Sequence, residues 1–324
     1  MGLVGAPHES HYKELTAEMR ESLITKPDQL HGLSATCIGS FWARAKYYQR
    51  AEFDIARLHT ESAAYFDIEP TFETTFPGCD DIVEMGAFVS AREQILFERA
   101  VAALEDGSVN NILILASGIS PLAVHLKRLI NQRFSGRNVK VICTDLLDPI
   151  WLQKQLCSTL IKKYDTGINF DILDVLKKDD WHAVKDKLVD GGVAVICEGL
   201  LGYFKADDFS EVLTNIQDLL KERGGFFVTD IATRDGVRKT LFEGDSKVLL
   251  HRFYEVAEVN TDSLAFATRK ECVRSINAHG LSVSPAALLK PEQMYIPRSV
   301  IGGRRDKIAK IVSTPMCLEV RVAV

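Results

Sequence analysis

Apolar and polar positions fall into two regimes along the chain. Up to about residue 110 the pattern is helical; from there to residue 230 short apolar runs alternate with helical segments. Ile112, Leu113, Ile114 and Leu115 form a continuous apolar run, which predicts a strand buried on both faces. A turn follows at Ala116, Ser117 and Gly118, then Ser120 as an N-cap and Pro121 as the first helical residue. Leu122, Leu126, Leu129 and Ile130 share one helix face. Strand, tight turn and helix together open a doubly wound α/β domain. The unit then repeats. A second strand over 139–145 ends on Asp145, and Asp148 with Pro149 caps a helix carrying Leu152, Leu156 and Leu160. A third, short strand spans 168–171, a helix covers 181–188, and a fourth strand over 193–197 runs into Glu198. Asp208 with Glu211 opens an amphipathic helix in the manner of a capping box. Gly224 and Gly225 stop it, and a fifth strand over 226–229 ends at Asp230. Five strands alternating with helices predict a parallel sheet.

The flanks differ. Residues 34–58 predict one long helix or two, with Phe41, Trp42, Ala45, Tyr48, Ala51 and Ile55 as an apolar stripe. Arg44, Lys46 and Arg50 on the same stretch read as a solvated face. Residues 67–81, with two prolines and Gly78, read as a loop, and 92–104 as a helix with Ile95, Leu96, Val101 and Leu104 inward. After the fifth strand, 249–279 reads as helical, and Gly302 with Gly303 signals a hairpin. Leu318, Val320, Val322 and Val324 alternate with Glu319, Arg321 and Ala323, which predicts an antiparallel strand added at the sheet edge. The expected fold is α/β, doubly wound and mostly parallel, with an antiparallel C-terminal strand. A helical N-terminal cap would occupy residues 1–108 and the sheet domain 109–324.

Composition changes this picture little. Of 324 residues, 46% are hydrophobic and 26% charged, as in ordinary globular chains. A net charge of −5 gives no electrostatic case for nucleic acid or an anionic membrane. No apolar run approaches the ~18 residues of a membrane span. The first residues lack a charged segment followed by an apolar core, so no secretory signal is expected, and Pro7 argues against myristoylation of Gly2. Seven scattered cysteines, two of them (Cys143 and Cys197) inside apolar strands, fit reduced thiols in a cytoplasmic protein. No Cys or His spacing matches a metal site, and none is expected.

Ligands of open α/β sheets bind outside the carboxyl ends of the strands. Here those ends carry Ser117 and Gly118, Asp145, the stretch from Asp171 to Asp174, Glu198 and Asp230: an acidic rim with one glycine turn. The glycines that cradle a pyrophosphate are missing, as is a Gly-rich loop with Lys and Ser/Thr for a triphosphate. A nicotinamide dehydrogenase is therefore disfavoured. A ligand with ribose and adenine but no phosphate suits the rim better, and S-adenosylmethionine is one. Asp145 stands where its ribose diol needs a carboxylate acceptor, and an acidic rim tolerates its sulfonium.

One stretch carries a specific resemblance. VAVICEGLLGYF, residues 193–204, resembles the strand-four motif of the leucine carboxyl methyltransferase-like family, with EGLLGY (Glu198 to Tyr203) as its core. MGAFVSAR, residues 85–92, is similar to that family's Gly-aromatic-Arg segment before the first strand, and FDILD, residues 170–174, to its Asp-Leu-x-Asp segment after strand three. The likeness spans roughly residues 34–230. It implies a Rossmann-like class I methyltransferase fold and an O-methyltransferase of small-molecule pathways. By the resemblance, Arg92 pairs with the cofactor carboxylate, while Ala116, Ser117 and Gly118 line its methionine part. Asp145, with Leu146 beside it, binds the ribose; Asp171 and Ile172 meet the adenine. Glu198 and Gly199 lie near the cofactor's amino group, and Tyr203 faces the substrate. The family's first turn, Gly-x-Gly followed by Asp and Arg, is altered here: Ala116, Ser120 and Leu122 occupy those places.

The chain shows no Ser-His-Asp order, no Cys-His pair and no evident general base. Methyl transfer to a carboxylate needs none, because a carboxyl of pKa ~4 is ionised at neutral pH. Holding nucleophile, methyl carbon and sulfur in line would then supply the catalysis. A carboxylate or an acidic hydroxyl on a small molecule is the expected acceptor. The altered turn keeps two alternatives open: another reaction of the same cofactor, such as intramolecular cyclisation or cleavage, and a non-catalytic cofactor-binding module.

Overall fold

The computed structural model describes residues 26–49, 53–79, 82–161, 167–231, 233–235, 245–260, 262, 264–286 and 317–323. Among the described residues four α-helices precede the sheet: α1 (Gly32–Tyr47), α2 (Asp54–Phe66), α3 (Ile68–Thr75) and α4 (Val83–Glu105). Alternation follows with β1 (Asn111–Leu115), α5 (Leu122–Arg133), β2 (Lys140–Asp145), α6 (Leu147–Ile161), β3 (Ile168–Ile172), α7 (Lys178–Lys185) and β4 (Val193–Cys197). After β4 come α8 (Ala206–Arg223), β5 (Gly225–Asp230), α9 (Asp245–Val256), α10 (Arg269–Ala278), β6 (Leu281–Pro285) and β7 (Cys317–Val322).

The sheet has seven strands in the order β3-β2-β1-β4-β5-β7-β6. β1 to β5 run parallel, so their carboxyl ends lie along one edge of the sheet; β7 runs antiparallel to both β5 and β6. This is a doubly wound, Rossmann-like sheet with a reversed C-terminal strand. β1 and β4 are buried at all five positions, which is why they read as unbroken apolar runs. Alternate residues feed two cores. Ile112, Ile114, Val141, Cys143, Ala194, Ile196, Phe226 and Val228 pack with α1, α2, α4, α5 and α6. Leu113, Leu115, Ile142, Val195, Cys197 and Phe227 pack with α7, α8 and α10.

Several boundaries depart from the sequence reading. The stretch 34–58 holds two helices, α1 and the start of α2. The expected loop at 67–81 contains α3: Pro70 sits in its first turn, where no intrahelical N–H bond is lost, and Phe72 is buried. α4 starts at Val83, not 92, because Gly86 lets it press against α1; a Cβ there would fall on the Ala43 carbonyl oxygen. α8 starts at Ala206, so Asp208 lies in its first turn, beside Asp207, where negative charge favours the helix N-terminus without forming the expected box. α5 begins one residue after Pro121, and the Leu122 amide still donates to Ser120 Oγ at 3.2 Å. Likewise Asp148 and Pro149 lie inside the first turn of α6. The stretch 249–279 is broken between α9 and α10, and Thr268 and Glu271 form a capping box that starts α10. The reversed strand β7 is not the edge: β6, which the sequence pattern does not announce, lies outside it. The Gly302-Gly303 turn, Ala51 and Arg50 lie outside the described residues.

Candidate active site

β1 delivers its chain into a tight turn over the carboxyl end of β2. Ala116 has φ 46° and Gly118 φ 55°, both left-handed. At Ala116 this backbone is strained for a residue with a Cβ, and such strain collects at functional sites. Gly118 also needs its missing side chain, since a Cβ would stand 3.1 Å from Cys37 Cβ on α1. The Ser117 amide donates to the Thr144 carbonyl at 3.0 Å, and its hydroxyl to Gln153 Oε1 at 2.7 Å; Gln153 Nε2 reaches back to the Ser120 carbonyl at 2.9 Å. The turn is thus fixed from β2 and from α6.

Asp145 closes β2. Its Oδ2 accepts the Gly118 amide at 2.7 Å and its Oδ1 the Leu146 amide at 2.8 Å. Burial pushes its carboxyl up to about 6, against the pull of those two amides. Each oxygen keeps a lone pair for a further donor. Leu173, whose amide donates to the Asp145 carbonyl at 2.9 Å, turns the chain after β3 over the same end of the sheet.

These groups open into one cavity of about 620 Å³. The turn from Ala116 to Ser120, Asp145, Leu146 and the stretch from Leu173 to Leu176 line one part of it. α4, α9 and the stretch from Glu198 to Phe204 line the other, and α1 borders both, with Cys37 against Gly118. At the carboxyl ends of β4 and β5 stands a knot of charge. Arg92 on α4 donates from Nε to Glu198 Oε1 at 2.8 Å and from Nη1 to Asp230 Oδ2 at 2.9 Å. Arg44 on α1 also bonds Glu198, and its Nε lies 3.6 Å from Glu93 Oε2. Glu93 in turn takes His59 Nε2 at 2.9 Å and the Ser120 hydroxyl at 3.0 Å. The Gly199 amide donates to Asp230 Oδ1 at 2.6 Å; Gly199 has φ 70°, and a Cβ there would meet Arg92 Nη2 at 3.2 Å.

Charge balance sets the protonation states. Burial disfavours the Arg92 charge, but Asp230 and Glu198 outweigh it and raise the guanidinium further. Burial likewise raises Glu93, yet Arg44, His59 and Ser120 more than offset it and hold the carboxyl at about 2. Glu198 stays above the ordinary range: burial and repulsion from Glu93 and Asp230 exceed the pull of Arg44 and Arg92. Tyr203 is pushed up to about 12, chiefly by burial, so its phenol keeps its proton at neutral pH.

The cavity brings together Arg92, Ala116, Ser117, Gly118, Asp145, Leu146, Glu198, Gly199 and Tyr203. It does not include Asp171 or Ile172. In register with β2, Asp171 pairs with Thr144 and Ile172 with Asp145, so both still belong to the strand. Asp171 turns to Lys187 and makes an ion pair there. Leu173 to Leu176, just past the strand end, line the cavity where Asp171 and Ile172 do not. Arg92 is also not a lone fork awaiting an anion, since it bridges two carboxylates of the sheet. Arg44, read from sequence as solvated, is only 4% exposed. Lys46 does lie outward, 2.8 Å from Glu69. Sequence reasoning missed Glu93, Gln153 and Tyr254. The signal for Glu93 was a carboxylate directly after Arg92, on a stretch of α4 flanked by the buried residues Val89, Ala91, Ile95 and Leu96. Among the described residues no group of three or more His, Cys, Asp or Glu is placed to hold a metal ion, and no helix is long and apolar enough to cross a membrane. No disulfide joins the seven cysteines.

No protein-family model matches the chain. No curated protein matches it in sequence. Among solved structures it is similar to magnesium protoporphyrin IX methyltransferase from Synechocystis PCC 6803 with bound S-adenosylhomocysteine, at 11% identity and a TM-score of 0.45, over 82% of this chain and 99% of that one. Human N-acetylserotonin methyltransferase in complex with S-adenosylmethionine aligns at 14% identity and a TM-score of 0.44, over 90% and 68%. An O-methyltransferase family protein from Burkholderia thailandensis aligns at 14% identity and 0.46, over 86% and 76%.

Proposed function

We propose that the protein is an S-adenosylmethionine-dependent O-methyltransferase of the leucine carboxyl methyltransferase-like kind, acting on a small molecule that bears a carboxylate or an acidic hydroxyl. The observation that carries this reading is the pairing of Asp145 with the strained turn at 116–118. A carboxylate with an acceptor site left on each oxygen faces the cavity, next to a turn whose backbone a ligand can approach. A ribose diol supplies two donors to that acceptor set, and no cradle for phosphate is built there. The cavity volume is within the ~300–1,000 Å³ common for small-molecule sites. The residues therefore fit the cofactor.

In this reading Asp145 holds the ribose hydroxyls and the turn receives the methionine part. Leu146 and the stretch from Leu173 to Leu176 enclose the adenine. Arg92, Glu198 and Gly199 meet the amino acid end. The cofactor supplies an electrophilic methyl group on a sulfonium. Tyr203 keeps its proton and orients the acceptor as a hydrogen-bond donor. Helices α1 and α4 cover the cavity and keep water from it, with residues 1–108 as the cap region and 109–324 as the cofactor domain. Reduced thiols and an acidic chain fit work in the cytoplasm on a diffusing substrate, without nucleic acid or membrane.

Calorimetric titration with S-adenosylhomocysteine tests the reading. Wild type should bind saturably and Asp145→Asn at least tens-fold more weakly, the loss of a charge-assisted acceptor being worth about 2–3 kcal/mol. Equal affinity in both would place the ribose elsewhere. Product analysis after incubation with S-adenosylmethionine alone separates the alternatives: methylthioadenosine formed without an acceptor would mean cleavage or cyclisation.

A further inference from the structure

The half of the cavity away from Asp145 has a character of its own. Its wall is apolar and aromatic: Met85 and Phe88 from α4, Tyr203, and Leu250, Phe253 and Tyr254 from α9. The rings of Tyr203 and Tyr254 lie 5.5 Å apart, inclined at 53°. Arg92 lies over the Phe88 ring at 5.7 Å, so the aromatic wall meets the charged knot directly. Burial keeps both phenols protonated at neutral pH.

The charges of the lining do not favour an anion. Among the described residues the lining carries two cationic side chains, Arg44 and Arg92, against four carboxylates, Asp145, Asp174, Glu198 and Asp230. Both guanidiniums are already matched, Arg92 by Glu198 and Asp230, Arg44 by Glu198 and by Glu93 behind it. Among the described residues no cation is left to meet a carboxylate acceptor, which would enter beside an excess of carboxylates. A cationic acceptor would instead stand beside the sulfonium it must approach, like charge against like charge. An uncharged ring avoids both penalties and stacks on the aromatic wall.

From this wall and this charge balance we infer that the acceptor is an uncharged, flat aromatic molecule that presents a hydroxyl, not a carboxylate. The inference rests on the reading of Asp145 and the turn as the cofactor half. Glu198 and Asp230 stand at the junction of the two halves, and the phenols of Tyr203 and Tyr254 offer hydrogen bonds to a neutral oxygen at the same place.

Three probes of one shape and different charge decide the matter: 2-naphthol, 2-naphthoate and 2-naphthylmethylammonium, titrated by calorimetry into protein saturated with S-adenosylhomocysteine at neutral pH. 2-Naphthol should bind saturably and about tenfold or more tighter than 2-naphthoate, with the ammonium probe also weaker. Tyr254→Leu should weaken 2-naphthol several-fold, and titration of that variant with S-adenosylhomocysteine reads the cofactor half separately. The inference is overturned if 2-naphthoate or the ammonium probe binds as tightly as 2-naphthol, if no probe saturates, or if Tyr254→Leu leaves 2-naphthol binding unchanged. If S-adenosylhomocysteine itself fails to bind, the cofactor reading falls, and the three probes on protein without it still rank the charge classes.

Discussion

Lowering the pH should switch off cofactor binding through one carboxyl. Asp145 sits at about 6 in the folded protein, raised by burial from an ordinary 3.8. The sign follows from that direction. A raised carboxyl contributes stability that is fully present below about pH 4 and lost as pH rises through about 6. About two units at 1.36 kcal/mol each make the ionised Asp145 a cost of up to about 3 kcal/mol at pH 7. Water in the cavity lowers that figure, so it is an upper bound. Two ribose hydroxyls donating to the carboxylate would recover much of it, because hydrogen bonds to a charged acceptor contribute about 1.5–3 kcal/mol each. Binding should therefore require the ionised form. The ionised fraction falls from about nine-tenths at pH 7 to about one-tenth at pH 5, so affinity should drop about tenfold over that interval. The neighbouring Cys37 thiol, raised by burial and by Asp145 itself, stays neutral throughout and adds no slope. Calorimetric titration with S-adenosylhomocysteine at half-unit steps reads the curve. Repeating it in two buffers of different ionisation enthalpy counts protons, and about half a proton should leave per molecule bound near pH 6. Asp145→Asn should bind weakly at every pH. An affinity that is flat from pH 7 to pH 5, or a variant that keeps the wild-type slope, would refute the assignment.

Other variants test the scaffold around that carboxyl. Ala116→Gly should change stability by less than about 1 kcal/mol, since relief of the left-handed backbone is offset by the freedom glycine gains when unfolded; Ala116→Val should lose more than that in urea unfolding. Glu93→Ala should cost about 3–5 kcal/mol in the same assay, because it strands Arg44 and His59 without their shared carboxylate in the core. Arg92→Lys should weaken S-adenosylhomocysteine binding, as an ammonium cannot bridge Glu198 and Asp230 at once. Arg99→Lys, which loosens a contact from α4 to Glu319 on β7, should lower stability by at most about 1 kcal/mol and leave cofactor affinity unchanged.

The central sheet was legible because its strands are buried on both faces, so burial prints itself as unbroken apolar runs ended by acids or glycines. Asp145 and Glu198 could be read for the same reason: each closes such a run. The flanks were less legible for two reasons. Gly86 reads as a break in a helix, yet it is what allows α4 to start early and pack against α1. β6 alternates weakly, with Leu281 buried, Val283 half-buried and the other three residues exposed, so its strand state depends on β7, some thirty residues away in sequence. Asp171 and Ile172, expected from the resemblance to meet an adenine, are kept out of the cavity by register. The match of FDILD to a family segment is a match of letters, whereas the pairing with β2 decides which of those letters leave the sheet. Asp171 stays in the strand and goes to Lys187; Leu173 is the first residue free to cover the cavity.

The charged knot explains why sequence alone mistook Arg44 and only half described Arg92. A charge on a helix is a solvated face unless a partner meets it, and the partners of these two arginines lie on other elements: Glu93 on α4, Glu198 after β4 and Asp230 at the end of β5. Burying one such arginine alone would be prohibitive; burying the two among three carboxylates, two to each, is tolerable only if each is placed to match. The consequence is geometric. Arg44 and Arg92 tie the cap helix α1 and helix α4 to the carboxyl ends of two strands, and Glu93 ties the same knot through Ser120 to the turn beside Asp145. A ligand that reaches Arg92 and Glu198 must exchange contacts with a network that also holds the turn. Neither half of the knot can move without leaving a buried charge unmatched in the other.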